Sequence, residues 1–145
     1  MGRIVALHLY AAEKAEACSV SEALAVVGHG LDGDRARGET RQVTVLGLER
    51  WRDALAVAGV AAPPETRRAN VVVEGIELSA LVGRRLRLGD VVLEVLGETA
   101  PCKRMDELVP GLRAALEPEW RGGVHGRILV GGRMSVGDSA EPVER

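Results

Sequence analysis

Arg85-Leu86-Arg87-Leu88-Gly89-Asp90-Val91-Val92-Leu93-Glu94-Val95-Leu96 sets two aliphatic runs on either side of a Gly-Asp pair. In the first run leucine alternates with arginine, the period of two that gives a strand one apolar face. The second run is rich in β-branched valine, and the pair between them tolerates the positive φ of a tight hairpin turn. The stretch therefore predicts two antiparallel strands. Leu129-Val130-Gly131-Gly132-Arg133 repeats the pattern with a Gly-Gly turn and predicts a second hairpin.

Working outward, glycine punctuates the chain, with 18 residues, many of them between short runs of Val, Leu and Ile. The runs Arg3 to Leu9, Gln42 to Leu46, Asn70 to Glu74, Arg127 to Val130 and Arg133 to Val136 read as further strands. Helical spacing occurs at Leu48, Trp51 and Leu55, and again from Met105 to Leu116, where Pro110 should divide the segment in two. Ala61-Ala62-Pro63-Pro64 is a stiff connector. Ser139 to Arg145 reads as a frayed polar tail after Gly137-Asp138. The expected fold class is mainly β (α+β): an antiparallel β-barrel with a few short helices, closed because closure protects many short strand edges.

At 145 residues the chain suits one domain spanning 1–145, with a single core. That core must be aliphatic, because Phe is absent and Tyr10, Trp51 and Trp120 are the only aromatics. The net charge of −2 comes from basic and acidic residues mixed along the chain, which argues against a nucleic-acid or membrane surface. The short apolar stretch Ile4 to Leu7 is too short for a signal or a membrane span, so a cytoplasmic protein is expected. Cys18 and Cys102 stand far apart without CxxC spacing and are read as reduced thiols.

The segment most suggestive of chemistry is Glu98-Thr99-Ala100-Pro101-Cys102-Lys103-Arg104, which places a cysteine between a strand and a helix with two cations behind it. Such surroundings favour thiolate, the form that attacks electrophiles or ligates a soft metal. By residue type alone Cys102 could equally be a buried structural cysteine, and for Cys18 that reading is preferred. Arg67-Arg68-Ala69-Asn70 brings two guanidinium groups and an amide to the mouth of a valine strand, where they could cradle an anion or remain solvated. Gly28 to Arg35 is a glycine-rich turn without the ending of a phosphate-binding loop and is read as structural. Arg121 to Arg127, with three glycines and His125, lets backbone approach a ligand closely. His8, His29 and His125 are isolated, so a zinc site is not expected, and no serine or carboxylate pair suggests a hydrolase.

Taken in order, Gly33-Asp34-Arg35, Arg41-Gln42-Val43, Arg68-Ala69-Asn70, Gly89-Asp90, Pro101-Cys102, Gly122-Gly123 and Val136-Gly137-Asp138 resemble the MOSC domain, the C-terminal module of molybdenum-cofactor sulfurases. The resemblance covers nearly the whole chain and implies a small stand-alone bacterial member. It implies binding of molybdenum-molybdopterin, with Cys102 as metal ligand and catalytic residue. Arg41, Arg67, Arg68, Asn70, Lys103, Arg121 and His125 are then cofactor-binding candidates. The implied activity is that of a molybdenum-dependent oxidoreductase: reduction of small N-hydroxylated substrates, hydroxylamine or amidoxime, to amine or amidine. No cysteine set here could hold an iron-sulfur cluster, so an external electron-transfer protein is the expected partner. No nucleic-acid or membrane partner is expected, and a homodimer is compatible with the sequence. The alternative is a carrier of the cofactor, or a sulfur (persulfide) transfer module, without turnover. The chain departs from some relatives at Ala100, where they place a hydroxyl near the cofactor.

Overall fold

The computed structural model describes residues 2–35 and 40–143. Eleven strands are present: β1 (Gly2–Leu9), β2 (Cys18–Val20), β3 (Glu22–Val26), β4 (Gly30–Leu31), β5 (Val43–Gly47), β6 (Val71–Glu74), β7 (Arg85–Leu88), β8 (Val91–Glu98), β9 (Val124–Val130), β10 (Gly132–Ser135) and β11 (Ser139–Val143). Three short helices accompany them: α1 (Leu48–Ala58), α2 (Lys103–Leu108) and α3 (Leu112–Leu116). None of these helices is long and apolar enough to cross a membrane.

Seven strands close into a mixed barrel in the order β11-β7-β8-β9-β5-β6-β1, with β1 pairing back onto β11. The hairpin at 85–96 forms as expected, Leu88 facing Val91 across a two-residue turn in which Gly89 has φ 62°. One pairing is parallel, Val45 opposite Val71, between β5 and β6. Its cause lies in the connection: parallel neighbours need a long crossover, and α1 with the proline connector supplies it. Gly59, at φ 68°, ends α1 and accommodates the reversal towards that connector.

Two expectations are corrected. Ser139 to Val143 is no frayed tail: β11 lies between β1, where Ala140 faces Gly2, and β7, where it faces Leu88, and so closes the barrel. Glu144 and Arg145 lie outside the described residues. The Gly131-Gly132 pair does not fold β10 back on β9 either. Gly131 passes so close to Ala25 that a β-carbon there would lie 2.8 Å from its carbonyl oxygen, and β10 pairs with β3 instead, in a separate three-stranded sheet.

Side chains such as Ile4, Leu7, Val43, Leu86, Leu93 and Ile128 fill the barrel interior. Outside the wall, Trp51 and Ala54 of α1, Met105 of α2, and Leu112 and Leu116 of α3 pack on Leu46 and Val72. The β6 valines are thus buried on both faces, Val71 and Val73 inward and Val72 under the helices, which explains an uninterrupted apolar run without alternation. Each such side chain contributes about 1.5–3 kcal/mol by burial. The three helices cover only part of the wall, and beside them the loop after β1, the residues before β6 and those after β8 meet.

Candidate functional site

A cavity of about 460 Å³ opens beside α2, a size suited to a small organic ligand. Its walls come from the loop after β1, the turn after β4, Arg41 and Thr44 at the start of β5, residues 67–69 before β6, residues 99–107 around the start of α2, and Gly122 before β9.

Arg67 is the last residue of a 3-10 turn, Pro64–Arg67, and Arg68 follows in the left-handed conformation at φ 66°. That reversal gives the adjacent arginines different surroundings. Arg67 is 7% exposed; its Nε donates to the Gly122 carbonyl at 3.0 Å and its Nη2 to the Thr99 carbonyl at 2.6 Å. Burial is the main influence on this guanidinium and lowers its pKa to about 10; nearby Cys102 and Glu98 oppose the shift, and Arg41 adds to it. It remains a cation at neutral pH, fixed in the cavity wall. Arg68 turns the other way: Nη1 donates to the Ala15 carbonyl at 2.7 Å and Nη2 to that of Glu13 at 2.8 Å, with the guanidinium 4.4 Å above the Tyr10 ring. It lines the cavity while tying down the loop that carries Glu13 and Lys14.

Cys102 is exposed, immediately precedes α2, and lines the same cavity with Lys103 and Arg104. Pro101 beside it is buried, which anchors the turn. Thr99, 6% exposed, also lines the cavity, and its hydroxyl has no hydrogen-bond partner among the described residues. Gly122 completes this wall. A β-carbon there would lie 2.7 Å from the Thr99 carbonyl oxygen and 3.1 Å from Arg67 Nη2, so only glycine leaves the guanidinium its place.

Of the residues singled out in the sequence, Arg41, Arg67, Arg68, Cys102 and Lys103 come together around this cavity. Asn70, Arg121 and His125 do not line it. Asn70 is fully buried behind the wall: its Oδ1 accepts from the Thr44 amide at 3.1 Å and hydroxyl at 3.2 Å, and its Nδ2 donates to the His8 carbonyl at 3.2 Å. Its amide therefore joins β1, β5 and the start of β6. Arg121 donates from Nη1 to the Ala115 carbonyl near the end of α3 and from Nη2 to Glu119. His125 sits opposite Thr44 in the β5–β9 pairing, its pKa lowered by burial first and Arg41 second.

Lys14, Arg35, Thr99 and Arg104 belong to the cavity but were not singled out. Thr99 lies three residues from Cys102 inside the segment already chosen, and Arg35 ends the glycine-rich turn read as structural. That turn is indeed fastened, the Asp34 carboxylate accepting from the Tyr10 amide at 2.7 Å, and the fastening helps position Arg35. Lys14 carries no local signal.

Electrostatically the cavity differs from the chain as a whole. Among the described residues seven cationic side chains line it against the carboxylates of Glu13 and Glu107, although the whole chain carries −2. Glu107 faces Arg104 at 3.5 Å, whereas Lys14, Arg35, Arg41 and Lys103 have no side-chain partner among the described residues. The arrangement can bind an anion beside a thiol.

Residues 32–141 match the family model described as the MOSC domain. No curated protein sequence matches the chain. Among solved structures, the YuaD protein from Bacillus subtilis superposes with a TM-score of 0.82 at 20% identity, covering 97% of this chain and 94% of that one. YiiM from Geobacillus stearothermophilus gives 0.80 at 18% identity, covering 100% and 76%. YiiM from Escherichia coli gives 0.74 at 18% identity, covering 99% and 70%. At these identities the likeness shows the fold.

Proposed function

The chain belongs to the MOSC domain family, and from that premise we propose that its cation-lined cavity binds molybdenum-molybdopterin, with Cys102 as the protein ligand to the metal. The observation that carries this reading is the placement of an exposed thiol beside a buried, anchored guanidinium in one cavity of suitable size. The donor set fits. Among the described residues no three His, Cys, Asp or Glu side chains converge on a metal position, so a metal here must draw most of its ligands from a bound organic group. Cys102 would supply one soft thiolate, Arg67 and Arg41 would face the phosphate, and the unpartnered Thr99 hydroxyl would bond a polar edge of the pterin. Thr99 thereby offers the hydroxyl that Ala100 lacks.

When bound, the cofactor supplies two-electron oxygen-atom chemistry. The proposed reaction is reduction of an N-hydroxylated compound: R–NHOH takes two electrons and two protons, the N–O bond breaks, and R–NH2 and water leave. The electrons come from an external electron-transfer protein. The protein's own part is to orient the ligand: Arg67 holds the Thr99 and Gly122 carbonyls that shape the wall, and Lys103 with Arg41 attracts the anion. A second reading, cofactor carriage or persulfide transfer without turnover, uses the same exposed Cys102.

The deciding measurement is molybdenum and pterin per chain, for wild type and Cys102→Ala purified anaerobically from a host that makes the cofactor. Near-stoichiometric metal in wild type and its loss in the variant is the expected result. Equal metal in both would end the ligand assignment. Loaded protein that reduces no hydroxylamine with an artificial donor would favour the carrier reading.

A further inference from the structure

We propose that the cofactor-free chain carries a further activity at this cavity: Cys102 reduces hydroperoxides, with Arg67 and Thr99 holding the peroxide oxygens. Two groups of the wall keep hydrogen-bonding capacity that the fold does not use. Thr99 has both sides of its backbone fixed, its N–H donating to the Gly123 carbonyl at 2.9 Å and its carbonyl accepting from Arg67 Nη2 at 2.6 Å. Its hydroxyl, at once donor and acceptor, is buried with no hydrogen-bond partner among the described residues, an unfavourable condition that a ligand oxygen relieves. Arg67 commits Nε to the Gly122 carbonyl and Nη2 to that of Thr99, which leaves Nη1 bonded to none of the described residues. Because two of its three nitrogens are pinned in a buried wall, the direction of the third is preset. Both residues line the cavity onto which the exposed Cys102 opens.

A thiol, a fixed N–H donor and a hydroxyl are what thiol cleavage of an O–O bond requires. The Cys102 sulfur attacks one peroxide oxygen, the S–O bond forms as O–O breaks, and the other oxygen leaves with the bonding pair. Negative charge builds on that leaving oxygen, where a rigid guanidinium N–H stabilises it without reorganising. The Thr99 hydroxyl accepts from the peroxide O–H and so orients the oxygen under attack. Overall Cys–SH and ROOH give Cys–SOH and ROH: sulfur loses two electrons, the peroxide gains them, and the thiol proton ends on the alcohol. The step draws on one directed N–H and not on the net charge of the wall, where Glu98 and Arg41 act on Arg67 in opposite directions. Cys18, the other cysteine, does not line the cavity, so the sulfenic acid is reduced from outside. One small thiol gives a mixed disulfide and water, and a second restores Cys102. A cavity of about 460 Å³ admits the peroxide and such a thiol in turn.

Cys18 and Cys102 are both exposed and free, so one molecule carries its own control. Protein made in a host without the cofactor pathway is treated with hydrogen peroxide, the sulfenic acid is trapped with dimedone, and peptide mass spectrometry reads the rate at each cysteine. A parallel series with iodoacetamide, which alkylates a thiol without breaking an O–O bond, corrects for accessibility and ionisation. The peroxide-to-iodoacetamide rate ratio at Cys102 should exceed that at Cys18 by about tenfold, less than the roughly 100-fold or more that an enclosed oxyanion donor supplies. Thr99→Val keeps the side-chain shape and removes the hydroxyl; it should lower the Cys102 ratio severalfold, Thr99→Ser should restore it, and the Cys18 ratio should not change. Far-UV circular dichroism checks that each variant is folded. Equal ratios at the two cysteines overturn the inference, as does a Cys102 ratio that Thr99→Val leaves intact. No metal is present at any stage, so either result leaves the cofactor assignment to stand or fall on the molybdenum content of Cys102→Ala.

Discussion

Arg67 and Gly122 occupy one space between them: the guanidinium Nε donates to the Gly122 carbonyl at 3.0 Å, and a β-carbon on residue 122 would stand 3.1 Å from Nη2. The same β-carbon would press on the Thr99 carbonyl, the other acceptor of Arg67. Gly122→Ala should therefore displace the guanidinium or the Thr99 backbone, at a cost of about 1–3 kcal/mol for overpacking a tight position. Urea unfolding of the variant should show that loss, and its molybdenum content should fall with it. Unchanged stability together with wild-type loading would mean that the wall yields without consequence.

Arg67→Lys tests the fork and not the charge. Lysine keeps the cation but cannot span both carbonyls in one plane, so one of two buried acceptors loses its partner. The expected cost is about 1–3 kcal/mol in urea unfolding, with weakened cofactor retention on gel filtration. A variant as stable as wild type would show that point charge suffices.

Asn70 separates a structural from a ligand role. Among the described residues its hydrogen bonds run within the sheet, to Thr44 and His8. Asn70→Ala leaves several buried partners unsatisfied and should destabilise the fold by about 2–4 kcal/mol, as several lost buried bonds imply. Cofactor content per folded molecule, measured well below the unfolding midpoint, should change less than in Cys102→Ala. The reverse order would place the Asn70 amide on the ligand after all.

These residues also show how far sequence carries. The hairpin at 85–96 declared itself because its alternation and its turn are local. Strand β11 did not: Ser139-Ala140-Glu141-Pro142-Val143 has one fully buried side chain, Ala140, and owes its pairing to β1 at the opposite end of the chain. Strand β3 was hidden similarly, since its inward positions are the small Ala23 and Ala25. In the site, Cys102 and Arg67 were legible from residue type and neighbours. The different roles of Arg67 and Arg68 were not, because a single left-handed residue decides which way each guanidinium turns.

His8 makes stability depend on pH. It is 3% exposed, its Nδ1 has no hydrogen-bond partner among the described residues, and burial lowers its pKa despite Glu65 at 3.9 Å. A histidine kept neutral in the fold but free to protonate when unfolded costs nothing above its unfolded pKa of about 6.5. Below that the unfolded chain binds the extra proton, and stability falls until the lowered folded value is reached. Wild-type urea midpoints should therefore drop as pH falls from 7 to 5, and drop less in His8→Gln. The difference is bounded at about 1.4 kcal/mol per pH unit for one proton. Parallel profiles would show that His8 takes no part.

Arg68 holds the 12–15 loop at the cost of a left-handed backbone. Its guanidinium takes the carbonyls of Ala15 and Glu13, and more weakly Ala12 at 3.4 Å, while its φ of 66° is one that glycine adopts freely. Two variants divide these effects. Arg68→Ala loses the side-chain bonds and keeps the backbone strain; Arg68→Gly loses the same bonds but relieves about 1 kcal/mol of it. Amide exchange in residues 12–15 should accelerate in both, whereas Arg68→Gly should unfold at higher urea than Arg68→Ala. Protected amides in either variant would show that the loop is held by its own packing.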